Sequence, residues 1–232
     1  MRTVEFIRRE ISGWEPWEAV YLIGCTAAIA GISIALDDTA LGIASAITGT
    51  LYTLLAGKGK ISCYFFGIFN SAAYGYIAYK NGLYGDAMLN WFWYLPMMVA
   101  GIIFWRKKIN ESGCVIKRNL TFSGRIITLF STLAGIALYA WLLRLLNDTQ
   151  PVVDSATTVL SVTAMILTVK RCVEQWLMWI LVNFRSVIMW LRVFLAGDNS
   201  VATLLWWIIM LFTGMIFFFR WTKELREQRQ VS

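Results

Sequence analysis

Apolar runs long enough to cross a bilayer recur from Trp17 to Trp221, with only short polar segments between them. A hydrocarbon core about 30 Å thick takes about 20 residues of helix at a rise of about 1.5 Å each. Runs of this kind lie at 17–36, 40–56, 61–80, 86–105, 125–146, 153–169, 173–195 and 201–221. The expectation is an all-α integral membrane protein with eight transmembrane helices. A hydrophobic content of 58% leaves too little polar surface for a soluble domain, and repetition along the chain excludes one anchor on a soluble head. Several runs are short or carry polar side chains, which suits helices that line a cavity.

Charge placement supplies a topology. The net charge of +7 implies no nucleic acid, because the basic residues stand in short segments between apolar runs. Lys58 and Lys60 follow the second run, and Lys170 and Arg171 the sixth. The loop after the fourth holds Arg106, Lys107, Lys108, Lys117 and Arg118, and the tail holds Lys223, Arg226 and Arg229. Alternate loops carry Asp37 and Asp38, Lys80 with Asp86, Asp148 with Asp154, and Asp198. With eight spans, the bias of basic residues toward the inner face places both termini in the cytoplasm. Residues 1–18 carry Arg2, Arg8 and Arg9 and lack the apolar core of a cleavable signal. Val4, Ile7 and Ile11 share helical spacing there, so an interfacial helix and a solvated leader both fit. There is no histidine, and Cys25, Cys63, Cys114 and Cys172 occur singly, so no metal, disulfide framework or cofactor is expected.

The chain also repeats internally. Leu36-Asp37-Asp38-Thr39 resembles Leu146-Asn147-Asp148-Thr149 at a shift of 110. Asn70, Trp93 and Gly101 match Asn183, Trp206 and Gly214 at a shift of 113. An even number of spans separates the halves, which points to parallel repeats about an axis along the membrane normal.

In the seventh run Trp176, Trp179 and Asn183 fall on one helical stripe, which Trp190 extends, and Gln175 adds an amide at its edge. Asn183 lies roughly 18 Å along the helix from Arg171, close to the midplane. An amide there needs a partner, since an unmade hydrogen bond in apolar surroundings costs several kcal/mol. In the third run Cys63, Phe66, Asn70 and Tyr74 share a similar stripe. Such stripes suit a flat aromatic ligand, whose faces stack on indole and phenyl rings while amides read its polar edge. Each asparagine alone also fits an ordinary interhelical hydrogen bond.

The second run carries Ser45, Thr48, Thr50, Tyr52 and Thr53, and the sixth Thr157, Thr158, Ser161 and Thr163. These hydroxyls fit helix–helix contacts. Thr48 and Tyr52, on one face, are the candidates for bonding a sugar. Pro96 bends the fourth run, as a hinge or as a static kink. Arg185, near mid-depth but off the aromatic stripe, either snorkels outward or pairs at a subunit interface. No Asp or Glu lies at mid-depth in any run, so an uncoupled facilitator is expected, with net uptake following removal of the substrate inside, as by phosphorylation. An enzyme acting on a lipid or quinone would need a nucleophile with its base, paired carboxylates or a metal cluster, none of which the sequence supplies. A non-transporting receptor or scaffold is the competing reading.

Trp176-x-x-Trp179-x-x-x-Asn183 resembles the substrate-binding motif of the PnuC family of nicotinamide riboside transporters. Asn90-Trp91-Phe92-Trp93-Tyr94 and the span pattern are similar too, across approximately residues 15–222. The resemblance implies a fold like that of the SWEET transporters: three-helix bundles at 37–105 and 147–222, joined through a loop and linker helix at 106–146. Residues 1–36 would then hold a leader and an extra transmembrane helix, and 223–232 a cytoplasmic tail. It further implies a homotrimer in the bacterial inner membrane that takes up nicotinamide riboside, a vitamin B3 form and NAD precursor. Trp176, Trp179 and Asn183 would contact the substrate, with Asn70 and Phe66 as counterparts from the first half. Related Pnu proteins carry thiamine or riboflavin, which are the alternative substrates. Apart from Pro96, the prolines that flex SWEET bundles have no match.

Overall fold

The computed structural model describes residues 3–35, 37, 39–80, 84–147, 150–196 and 201–231. Arg2, Leu36, Asp38, Asp148, Thr149 and Asp198, named above, lie outside the described residues, as does the side chain of Val4. Among those described, the regular elements are helices: α1 (Thr3–Ile11), α2 (Pro16–Ala35), α3 (Ala40–Lys58) and α4 (Cys63–Lys80). They continue with α5 (Tyr84–Trp105), α6 (Phe122–Leu145), α7 (Pro151–Val169), α8 (Gln175–Leu195) and α9 (Val201–Val231).

Local chemistry sets the ends. Thr39 and Thr121 cap α3 and α6 by accepting the amides of Gly42 and Gly124 at 3.0 and 3.1 Å, and Pro151 opens α7 where a missing N–H costs nothing. Within α5, Leu89–Tyr94 winds as a π-helix immediately before Leu95 and Pro96.

Among the described residues, six helices are long and apolar enough to cross a membrane: α2, α3, α5, α6, α7 and the stretch Leu204–Gln230 of α9. Helices α4 and α8 are of similar length, 18 and 21 residues. They are more polar, because α4 carries Asn70, Ser71 and four tyrosines before Lys80, and α8 carries Gln175, Asn183, Arg185 and Arg192. These are the two helices on which the aromatic stripes were expected.

The chain divides into two compact units, Met1–Ile116 and Lys117–Ser232. In the first, α2 packs on α3, α3 on α4 and α4 on α5. Its interior holds Tyr64, edge-on to Trp105 at 5.0 Å between ring centres. A Cβ at Gly101 would lie 2.1 Å from the Tyr64 ring, so glycine is needed there for the helices to close. In the second unit α6 packs on α7, α7 on α8 and α8 on α9. Trp176 fills its interior, 5.3 Å from Phe217 and 5.8 Å from Trp221.

The internal repeat is visible in the backbone. Asp37 and Asn147 both adopt left-handed conformations, with φ of 52° and 58°. Gly59 and Arg171, 112 positions apart, do the same at 82° and 62° and end α3 and α7. At each, the next amide reaches back to a helical carbonyl at 2.9 Å, Lys60 to Leu55 and Cys172 to Leu167. This is the Schellman closure of a helix. The amides of Cys63 and Gln175 then bond Lys60 and Cys172, again 112 positions apart. In register with these turns, Tyr64 corresponds to Trp176, and Asn183 to the buried Ser71 rather than to Asn70.

Candidate ligand site

The two asparagines do different work. Asn183 is 8% exposed and donates from Nδ2 to the Met210 carbonyl of α9 at 3.1 Å. Asn70 turns the other way, donating to the carbonyl and hydroxyl of Ser45 on α3 at 2.8 and 3.1 Å. Gly49 of α3 lies directly beneath it, where a Cβ would come within 2.9 Å of Asn70 Nδ2. Each amide therefore ties its helix to a neighbour, Asn70 joining α4 to the preceding α3 and Asn183 joining α8 to the following α9.

The remaining expected residues divide by unit. In the second, Trp176 belongs to the interior packing described above. Trp179 is half-buried, one turn on, with its indole N–H 3.5 Å from the Thr168 hydroxyl. Gln175 is 1% exposed, and its Nε2 finds no acceptor among the described residues. In the first unit Phe66 is half-buried, and the Thr48 hydroxyl is taken up by its own helix, at 2.7 Å from Ala44 O and 3.1 Å from Ser45 O. Tyr52 leans on Tyr64 at 6.4 Å between ring centres, over Gly67, where an added Cβ would press on its ring.

Sequence reasoning missed a further set of donors. The indole N–H groups of Trp93, Trp176 and Trp206 are buried without an acceptor among the described residues. Buried donors left unmet by protein are uncommon and ask for water or a ligand. Trp93 and Trp206 served above as anchors of the repeat, with Trp93 also in the Asn90–Tyr94 stretch, and their pairing was the available signal. Trp93 falls within the π-helical turn of α5, a geometry that recurs at functional sites.

Arg185 pairs with Asp154 of α7 at 3.1 Å, within the second unit. At the basic ends of the units the charges are largely engaged. Lys58 pairs with Glu18 at 2.5 Å, and Lys60, fully buried, donates to the carbonyls of Arg9, Ser12 and Ser112 at 2.6, 2.9 and 3.0 Å. Burial pushes the pKa of the Lys60 ammonium below its ordinary value. Lys117 and Arg220 both pair with Glu224, and Glu174 accepts from the Leu120 amide and from Arg125.

Apolar helices of membrane-spanning length, with mid-helix amides on the two more polar ones, α4 and α8, define an integral membrane protein. Comparison with known proteins specifies the class. The family model for nicotinamide mononucleotide transporters matches residues 39–223, and the chain belongs to that family. Nicotinamide riboside transporter PnuC of Neisseria mucosa is 32% identical over 94% of this chain and 86% of its own. The Haemophilus influenzae protein of the same name is 31% identical over 93% and 94%. The crystal structure of the vitamin B3 transporter PnuC superimposes with a TM-score of 0.83 at 30% identity, covering 97% of this chain and 99% of that one. The chain is a membrane transporter and not an enzyme.

Proposed function

We propose that the protein carries nicotinamide riboside across the bacterial inner membrane by facilitated diffusion, with phosphorylation inside the cell trapping the product. The observation that carries this reading is the α8 motif in its setting: Trp179 half-buried, Asn183 anchored, and Gln175 with a buried amide donor to offer. A cationic pyridinium suits indole faces, and a carboxamide suits amide and indole donors. Nicotinamide riboside has both, and it is the substrate in the names of the relatives.

In this reading Trp179, Asn183 and Gln175 touch the substrate, with Trp176 behind them. Asn70, Phe66, Thr48 and Tyr52 are the candidates from the first half, and Trp93 and Trp206 are further candidate donors. Helices α4 and α8 cross the membrane with the six apolar ones, giving eight spans. Six of the eight form SWEET-like three-helix bundles, with α6 as linker and α2 as the extra helix. Both termini face the cytoplasm, where the basic loops lie, and the protein is a homotrimer. Isothermal titration of purified protein with nicotinamide riboside tests the site. Trp179→Ala should abolish binding without unfolding the protein, and unchanged binding would remove α8 from the site. Thiamine or riboflavin binding in place of nicotinamide riboside would keep the site and change the substrate.

A further inference from the structure

The second unit extends its aromatic interior toward its basic end in a way the first does not. At the shift of 112, Tyr64 and Trp105 correspond to Trp176 and Phe217, and each pair is in ring contact. Trp176 has a second ring against it, Trp221, edge-on at 5.8 Å and 79°. The first-half position that corresponds to Trp221 is Ile109, which offers no ring.

Trp221 in turn carries a cation. Lys117 Nζ lies 5.4 Å from the centre of its ring, and the two residues are 4% and 0% exposed. The same ammonium pairs with Glu224, three residues beyond Trp221 on α9. Burying an ammonium costs desolvation that an aliphatic side chain would not, even when the charge is paired. What the ammonium adds is attraction to an aromatic face, for which indole is the best partner. It fixes the plane of Trp221, and the edge-on contact passes that constraint to Trp176.

The chain beside Lys117 is fastened to the start of α8. The Arg118 amide donates to the Arg171 carbonyl at 3.0 Å, and the Val173 amide donates to the Arg118 carbonyl at 2.9 Å. The Leu120 amide donates to the Glu174 carboxylate at 3.2 Å. Contacts therefore run from Lys117 through Trp221 to Trp176, and back along the 171–174 turn to residues 118–120. That circuit encloses the first turn of α8, which carries Gln175 and Trp176 and leads into Trp179.

We propose that Lys117 is a positioning residue for the substrate. Its ammonium orients Trp221, Trp221 orients Trp176, and Trp176 sets the first turn of α8 so that Gln175 and Trp179 meet the ligand. Lys117 itself touches no substrate. The inference rests on the reading of α8 as the substrate helix, and the two are tested apart.

The first measurement is nicotinamide riboside titration of the purified full chain in detergent, with Lys117→Met, Lys117→Arg, Trp221→Leu and the Lys117→Met/Trp221→Leu double variant. Lys117→Met should weaken binding by about three- to tenfold, and Lys117→Arg, which keeps a cation over the ring, should restore it. In the Trp221→Leu background Lys117→Met should add no further loss, because the cation has no ring left to orient. Unchanged binding in Lys117→Met, no rescue by arginine, or losses that add in full would overturn the proposal. The second measurement needs no substrate: fluorine NMR of protein labelled with 5-fluorotryptophan, with the Trp176 resonance assigned by its loss in Trp176→Phe. That resonance should shift in Lys117→Met and return in Lys117→Arg. A resonance that stays in place in Lys117→Met would overturn the positioning of Trp176. A resonance that shifts and returns in a protein that binds no nicotinamide riboside would uphold the positioning and remove the substrate reading.

Discussion

Asn183 carries a structural bond and a proposed functional one, and the two separate by size. Its donor bond to Met210 joins α8 to α9, and interhelical bonds of this kind average about 0.6 kcal/mol. Asn183→Ala should therefore shift the melting temperature in detergent only slightly. The same change should weaken substrate binding by about tenfold or more, which is about 1.4 kcal/mol. Glycines give a sharper structural contrast. A Cβ at Gly101 would lie 2.1 Å from the Tyr64 ring, whereas one at Gly214 would meet Ile180 at 3.1 Å, a side chain able to yield. Gly101→Ala should cost about 1–3 kcal/mol in thermal or denaturant unfolding, and Gly214→Ala much less. Helical phase brought Trp176, Trp179 and Asn183 onto one stripe from the sequence alone. It could not tell interior from lining, because both the packing face and a ligand face select aromatics. Trp176 lies in the interior, tilted against Phe217 and edge-on to Trp221, and still has an unmet indole N–H among the described residues. The shift of 113 paired Asn70 with Asn183, but the turns repeat at 112, a one-residue difference that rotates a side chain by about 100° on a helix.

Among the elements, the basic ends of the helices hold interactions that apolar periodicity does not reveal. Lys58 and Glu18 are 6% and 4% exposed at their side chains, a pair sealed between α3 and α2. Removing one partner of such a pair leaves an uncompensated charge and costs about 3–5 kcal/mol. Glu18→Ala should thus unfold the first unit far more readily. Arg125→Ala should cost about 1 kcal/mol or less, because Arg125 is 56% exposed in its pair with Glu174. Thermal denaturation of both variants gives the comparison. The positions of most helices were legible to within a few residues, since an apolar run of this length satisfies its backbone in lipid as a helix. The expected run 40–56 is α3, Ala40–Lys58, and 153–169 is α7, Pro151–Val169. Helix α9 continues to Val231, well past the apolar run, because Arg220 and Glu224 pair one turn apart and Lys117 joins them. The π-helix of α5 had no signal, since a single widened turn leaves the apolar pattern unbroken. Basic residues read as topology markers turned out to include three buried ones, Lys58, Lys60 and Lys117. Position in a loop does not distinguish a solvated charge from one that bonds neighbouring carbonyls or carboxylates.

For the whole molecule, the family and the lack of an acidic residue at mid-depth in the apolar runs are the grounds for the proposed facilitated diffusion. Proton or sodium coupling usually uses a carboxylate at mid-depth. Transport should therefore run down the substrate gradient in either direction and respond to neither ion gradient nor membrane potential beyond the charge of the substrate itself. The most direct measurement is uptake of radiolabelled nicotinamide riboside into proteoliposomes holding the purified protein, with no ion gradient imposed. The account predicts uptake that saturates, stops when inside and outside concentrations match, competes with unlabelled nicotinamide riboside and disappears in Trp179→Ala. Uptake that requires a proton or sodium gradient, or that is unchanged in Trp179→Ala, would contradict it.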